Sequence, residues 1–245
     1  MQLLKNKQYM NEIFEKQFLI RSTMVNASQH LRTSQLLTML QDTATDHVTE
    51  IGMGKDKTMD RGLLWVIARQ FVQIERIPHY DETVRLKTWA GKHMHFLFPR
   101  YYEISDAEGQ VIVRASAVWT LMDINTRAAV LPEKRGISVP GITIGNEIPY
   151  HAVIGKFETD KHNEFSVPYS YIDLNGHMNN ARFFDLADDI LPANGKRLKE
   201  LRMEYHNEVE QGEVLKIDWT GTGSKYYLKG STDKLVFKML LQYYE

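Results

Sequence analysis

The 245-residue chain contains no cysteine. That absence removes disulfides, thiolate metal sites and any thiol nucleophile. No apolar run approaches the roughly 18–20 residues that span a bilayer. The opening residues Met1-Gln2-Leu3-Leu4-Lys5-Asn6-Lys7 lead into no apolar core of signal-peptide length, so a cytoplasmic setting is the expectation. An excess of charge of one sign is missing too: 30 Lys and Arg against 31 Asp and Glu leave a net charge of -1. This argues against bulk electrostatic capture of nucleic acid, which needs a basic face. What is present is 43% hydrophobic and 11% aromatic residues. That composition suits packed cores, and the length has room for two domains of about 100–150 residues each.

The most informative stretch is Asp173-Leu174-Asn175-Gly176-His177-Met178-Asn179-Asn180. It places a carboxylate, hydrogen-bonding side chains and a tight-turn glycine directly before an apolar helical run. An altered echo, Asn26-Ala27-Ser28-Gln29-His30-Leu31-Arg32-Thr33, lies 147 positions earlier, with the carboxylate and both flanking asparagines replaced. A second pair of blocks supports a duplication. Thr83-Val84-Arg85-Leu86-Lys87-Thr88-Trp89-Ala90-Gly91 and Glu213-Val214-Leu215-Lys216-Ile217-Asp218-Trp219-Thr220-Gly221 share a valine, a tryptophan and a glycine at an offset of 130. The offsets differ by 17, so the first copy holds extra residues between its helix and its strands, with Met53 to Gly62 as the expected place.

Each copy reads as a short strand, a helix and a run of strands. Leu36, Leu40, Thr43, Ala44 and His47 share one face of the first helix. Phe183, Leu186, Ala187, Ile190 and Leu191 do so in the second, which Pro192 ends. Asn179 or Asn180 is suited to cap that second helix. Val84, Leu86 and Thr88 form one two-residue stripe, and Val111, Val113, Ala115, Ala117, Trp119 and Leu121 form another. Hairpin turns are predicted at Ser105–Gln110 and Lys229–Lys234. One helix wrapped by antiparallel strands, made twice, describes an α+β tandem (double) hotdog, with two central helices inside one long sheet. The predicted division is an N-terminal hotdog over 1–135, a linker over 136–164 that contains Pro140 and Pro149, and a C-terminal hotdog over 165–245.

These blocks, together with Trp65-Val66-Ile67-Ala68-Arg69, Val118-Trp119-Thr120-Leu121-Met122-Asp123 and Glu204-Tyr205-His206-Asn207-Glu208, resemble a bacterial acyl-ACP thioesterase. The chain is similar to the plant plastid enzymes that end fatty-acid synthesis. The resemblance implies a double hotdog fold and hydrolysis of fatty acyl-ACP to free fatty acid and holo-ACP. It carries catalytic assignments onto Asp173, Asn175, His177 and Glu208. Plant members have a cysteine after this glutamate; here the position is Val209, so the carboxylate, asparagine and histidine must do the chemistry.

Thioester hydrolysis needs a held carbonyl, donors for the developing oxyanion, and activated water or a nucleophile. A helix N-terminus supplies unpaired N–H groups and a positive dipole end, and Gly176 permits close backbone approach. Glu208 is the expected base on water or the nucleophile of an acyl anhydride. His177 and Asn175 position carbonyl and water, and Asp173 orients His177 or Asn175. Gly176, Asn179 and Asn180 are expected beside the substrate. Met39, Leu40, Trp65 and Ile67 of the first copy are candidates for the acyl pocket, although each also suits ordinary core. Lys196, Arg197, Lys199 and Arg202 form a basic cluster near the second helix, either a solvated loop or a dock for the acidic carrier protein. His93 and His95 are placed on one strand face, half of a metal site, with the bland reading favoured. No metal or organic cofactor is implied, and pairing of two chains into a homodimer is left open. The rival functions are an acyl-CoA thioesterase, a hotdog dehydratase and a non-enzymatic acyl-thioester sensor.

Overall fold

The computed structural model describes residues 12–142, 153–193 and 195–245. Pro149 of the expected linker and the early lysines Lys5 and Lys7 lie outside the described residues. The first half contains β1 (Ile13–Leu19), α1 (Thr33–Glu50), β2 (Leu63–Ile74), β3 (Thr83–Ala90), β4 (Phe98–Ser105) and β5 (Val111–Asp123). The second contains β6 (Lys161–Ser166), α2 (Arg182–Ile190), β7 (Leu198–Tyr205), β8 (Val214–Thr222), β9 (Lys225–Ser231) and β10 (Leu235–Tyr243).

All ten strands join one sheet in the order β1-β3-β4-β5-β2-β7-β10-β9-β8-β6, and every neighbouring pair is antiparallel. Read from its outer edge inward, each half repeats the same order, and the halves meet where β2 pairs β7, from Arg69 opposite Glu204 to Gln73 opposite Glu200. This is the double hotdog, with both helices against one continuous sheet. The 147-residue offset is visible in the backbone. The bridge Val25–Leu31 recurs as Ile172–Met178, the turn Ser22–Met24 as Tyr169–Tyr171, and the positive φ of Gln29 as that of Gly176.

The helices form where the apolar spacing places them. Leu36, Leu40, Thr43, Ala44 and His47 are all buried on α1, as are Phe183, Leu186 and Ala187 on α2. Fully burying one such leucine or phenylalanine stabilises by about 1.5–3 kcal/mol. A fully buried threonine hydroxyl must find an acceptor, and Thr43 Oγ1 donates to the Met39 carbonyl at 2.7 Å. One core crosses the seam between halves, uniting Leu36 and Leu40 with Phe184 and Phe237.

Three expectations change. The extra residues of the first copy are not confined to Met53–Gly62, because α1 itself has 18 residues against 9 in α2. Strand β6 begins at Lys161, inside the stretch expected to be linker, and pairs along its length with β8. It is an edge strand of Lys161-His162-Asn163-Glu164-Phe165-Ser166 with almost no buried side chain, so it carries no apolar alternation to read. His93 and His95 lie in the turn between β3 and β4 rather than on a strand. His95 has φ 52°, and His93 Nε2 faces Glu133 Oε1 at 3.4 Å.

Candidate active site

The 173–178 segment is a closed turn fastened at several points. The Asp173 N–H donates to the His177 carbonyl at 2.9 Å, and the Gly176 N–H to the Asp173 carbonyl at 3.1 Å. The Asp173 carboxylate accepts from the Asn175 N–H at 2.7 Å. Gly176 sits at φ +84°, a left-handed position that a side chain would strain. Asp173 therefore orients Asn175, through its backbone. The other expectation, that Asp173 orients His177, is not met: His177 Nδ1 is buried without a hydrogen-bond partner.

Two further bonds fix this turn against its neighbours. The Met178 N–H donates to the Val209 carbonyl at 2.8 Å, and the Asn179 N–H to the Tyr171 carbonyl at 2.9 Å. The first brings the loop after β7 beside the turn, and there His177 Nε2 and Glu208 Oε2 stand 3.4 Å apart. Glu208 is therefore on a loop that follows β7. The chain leaves the sheet after Tyr205, where the His206 N–H donates to the Val236 carbonyl and the Asn207 side chain to the Leu235 carbonyl at 2.7 Å. The neighbouring Glu204 is a buried carboxylate at the seam, 2% exposed. Val209 is buried as well, so its side chain takes no part in the open site.

Beside the turn lies a cavity of about 260 Å³. Gln41, Ala44, Thr45, Val48 and Thr49 of α1 line one side, and Met53, Thr58 and Met59 of the following segment continue it. Trp65 of β2, Phe98 and Arg100 of β4, and Trp119 of β5 line it from the sheet, while Leu174 and Asn175 of the second half reach its edge. Residues peculiar to the longer first copy thus build much of the wall. Arg100 is 5% exposed. It donates to His47 Nδ1 at 2.9 Å and to Thr88 Oγ1 at 3.2 Å, and burial pushes its guanidinium below its ordinary value.

Of the expected substrate contacts, Trp65 and Asn175 line the cavity. Met39, Leu40 and Ile67 do not: they are 3%, 1% and 4% exposed within the shared core. Asn179 shapes the chain entering α2, its side-chain oxygen accepting from the Ala181 N–H at 2.9 Å. The Asn180 carbonyl accepts from the Tyr205 hydroxyl at 3.3 Å. Helix α2 starts only at Arg182, so its N-terminus stands back from Asn175–His177. The Asn175 and Gly176 N–H groups are already engaged within the turn. The His177 N–H and the Asn175 side-chain amide have no partner among the described residues, which leaves these two as donors for an oxyanion.

The basic cluster lies elsewhere. Lys196, Arg197 and Lys199 fall where the chain enters β7, whereas Glu208 follows its far end, roughly 20 Å away at about 3.3 Å per residue. The cluster follows the end of α2 remote from the 173–178 turn. Arg197 and Lys199 stack on Tyr244, and Arg202 pairs with Glu200 at 2.8 Å. One residue the sequence did not single out is present at the site. Arg127, from the loop after β5, forms an ion pair with Glu208 Oε2. Its only local signal is the turn sequence Asp123-Ile124-Asn125-Thr126, which reveals nothing of a contact across the halves.

Family models describing the acyl-ACP thioesterase N-terminal domain and C-terminal domain match residues 11–134 and 154–244. The chain belongs to the acyl-ACP thioesterase family. It is similar to a chloroplastic acyl-[acyl-carrier-protein] hydrolase of Cuphea viscosissima, 26% identical over 242 residues that cover 86% of this chain and 57% of the relative. A chloroplastic palmitoyl-acyl carrier protein thioesterase of Arabidopsis thaliana is 26% identical over 223 residues, 83% of this chain and 54% of the relative. The chain spans a little over half the length of these curated relatives. The fold resembles that of an acyl-ACP thioesterase from Bacteroides thetaiotaomicron, with a TM-score of 0.84 at 22% identity over 96% of this chain and 99% of the other. It also resembles the 12:0-ACP thioesterase from Umbellularia californica, with a TM-score of 0.77 at 21% identity over 95% and 97% of the two chains. No helix among the described residues is long and apolar enough to cross a membrane.

Proposed function

We propose that the chain hydrolyses the thioester of fatty acyl-ACP, releasing free fatty acid and holo-ACP, in a cytoplasmic setting. The observation that carries this reading is the meeting of two parts. A cavity walled mainly by the first half is edged by Asn175 of the second, and the His177–Glu208 pair belongs to the same turn-and-loop assembly. The acyl chain occupies the cavity, and the thioester carbonyl lies at the Asn175 edge. The Asn175 amide and the His177 N–H then face the oxygen that gains charge, and one preorganised donor of this kind is worth roughly 3–4 kcal/mol.

Glu208 accepts a proton from water as the water oxygen attacks the carbonyl carbon. The tetrahedral intermediate collapses by breaking the carbon–sulfur bond, and the thiolate takes up a proton to leave as the carrier's thiol. A second route has the Glu208 carboxylate attack the carbonyl carbon first and expel the thiolate, which takes up a proton, to form an acyl anhydride; water then opens it to free acid and regenerates the carboxylate. Both routes need His177 to hold the carboxylate and water in line. Supporting the reading are the family membership, the cavity that Asn175 lines and the absence of any cysteine to act as nucleophile.

The test is free-acid release from a panel of acyl-ACPs, with the matching acyl-CoAs alongside, for wild-type chain and Glu208→Ala. Release from acyl-ACP that falls about 10²–10⁴-fold in the variant is expected. Preference for acyl-CoA would replace the carrier in this reading, and near-normal turnover by folded Glu208→Ala would discard the base.

A further inference from the structure

We propose that Arg127 is a positioning residue of the active centre, crossing from the first half to hold the Glu208 carboxylate ionised and turned toward His177. This rests on the reading of Glu208 as the base. Arg127 Nη2 contacts Glu208 Oε2, the same oxygen that His177 Nε2 approaches at 3.4 Å. The carboxylate is thus gripped from both halves of the molecule. An ion pair that joins the same oxygen as His177 draws that oxygen toward the meeting point of the two halves. Both partners are partly open to solvent, with 40% and 35% of their side chains exposed, which weakens the attraction without removing the geometry.

The loop that presents Arg127 is built for the purpose. Arg127 has φ +56°, a left-handed backbone that disfavours any residue with a side chain. The conformation is held all the same. The Arg127 N–H donates to the Asp123 carbonyl at 2.9 Å, and the Asp123 N–H to the Ala128 carbonyl at 3.0 Å. Asp123 Oδ1 accepts from the Asn125 and Thr126 N–H groups at 3.1 and 3.0 Å, and Asp123 Oδ2 accepts from Arg135 at 3.0 Å. The Asp123 carboxyl is held below the usual carboxylate range chiefly by the Thr126 N–H.

Other charges near Glu208 do not duplicate the role. His177 approaches from the turn before α2 and is a cation only when protonated. On the loop of Glu208 itself, His206 Nε2 faces Glu204 Oε2 at 3.3 Å, and the Glu210 N–H donates to Glu213. Among the described residues Arg127 is the permanent cation within ion-pair reach of Glu208. The first half therefore contributes to the chemistry as well as to the cavity, and a separated C-terminal half would carry an unsupported base.

The test compares Arg127→Gly, Arg127→Lys and Glu208→Gln with the wild type, as full chains, by kcat and KM for acyl-ACP across pH 4.5–9. Arg127→Gly suits the left-handed backbone and removes only the side chain, while Arg127→Lys retains the charge. The expected result is a kcat at least tenfold lower in Arg127→Gly. Its thermal midpoint stays close to wild type, and the acid limb of kcat/KM moves to higher pH by about one unit. Arg127→Lys recovers most of both. A merely structural arginine would lower the melting midpoint and leave the acid limb in place. If Arg127→Gly retains the wild-type kcat and acid limb, or if Arg127→Lys fares no better than Arg127→Gly, the proposal is overturned. Should Arg127→Gly fail to fold, Arg127→Gln is read in its place against the same two limits. Turnover surviving in Glu208→Gln would instead overturn the reading of the base, so the two failures are distinguishable.

Discussion

The two halves of the sheet follow the same path and put different residues on it. The Leu31 N–H donates to the Pro78 carbonyl just as the Met178 N–H donates to the Val209 carbonyl, at 2.9 and 2.8 Å. That equivalence pairs Ile77 with Glu208, and the 147-residue offset pairs Asn26 with Asp173, Ser28 with Asn175 and His30 with His177. Asn26 still accepts from the Ser28 N–H through its side-chain oxygen at 3.0 Å, as Asp173 does from Asn175. The turn is kept in the first half, where isoleucine stands at the place of Glu208. In exchange α1 is twice as long as α2, and its second half walls the cavity. On the proposed reading, duplication lets one copy hold substrate and the other attack it.

The largest expected contrast is between the paired histidines. His177→Ala should lower kcat about 10²–10⁴-fold, while His30→Ala should leave it within twofold, both measured by acid release on folded protein. A comparable loss in His30→Ala would mean that the first turn is also catalytic. Next comes the wall. Val48→Phe projects into the cavity from the part of α1 that α2 lacks. It should shift the ratio of kcat/KM for short over long acyl chains upward by about tenfold, since a few methylenes in an apolar pocket carry about 1–3 kcal/mol of discrimination. An unchanged ratio would put the acyl chain elsewhere.

The two turn positions should respond with opposite signs. Gly176→Ala forces a side chain into φ +84° and should destabilise by about 1–2 kcal/mol. Gln29→Gly relieves φ +62° and should stabilise, by less than about 1 kcal/mol once the added freedom of the unfolded chain is counted. Urea midpoints moving in the same direction would break the equivalence of the turns.

The smallest contrast is in acid. Glu82 accepts the His79 N–H at 2.9 Å as Glu213 accepts the Glu210 N–H at 2.6 Å, but Glu82 is also gripped by both Arg76 nitrogens at 2.8 and 2.7 Å. That side-chain bond, foremost, holds its carboxyl below the ordinary value. A carboxylate depressed in the folded state stabilises above its unfolded pKa of about 4.3, and the contribution is lost as pH falls through the folded value. Glu82→Gln should therefore cost more than Glu213→Gln in neutral urea titrations, and the gap should close as the pH drops below about 4. A gap that persists in strong acid would show that the carboxylate charge is not its source.

Much of the fold was legible because burial leaves a periodic trace. Leu36, Leu40 and Ala44 recur at helical spacing, and Val84, Leu86 and Thr88 alternate, since one face of each element must leave water. Strand β6 was hidden because an edge strand with solvent on its side chains leaves no such trace. At the site, His177 and Asn175 were readable from a motif dense in chemistry. For Met39, Leu40 and Ile67 the sequence left pocket and core both open, because apolar side chains that line a cavity and those that fill a core are the same types; the structure buries all three in the core.

The sequence by itself determined the duplication, the two helix faces, the tight turn at Gly176 and the exclusion of thiol chemistry, because each depends on residue type or local spacing. Only the tertiary structure decided that the long helix walls the cavity, that Glu208 leaves its strand to meet His177, and that Arg127 crosses from the other half to the same oxygen. Those contacts join segments far apart in the chain, and their distances are set by sheet pairing and loop closure, which no local pattern records.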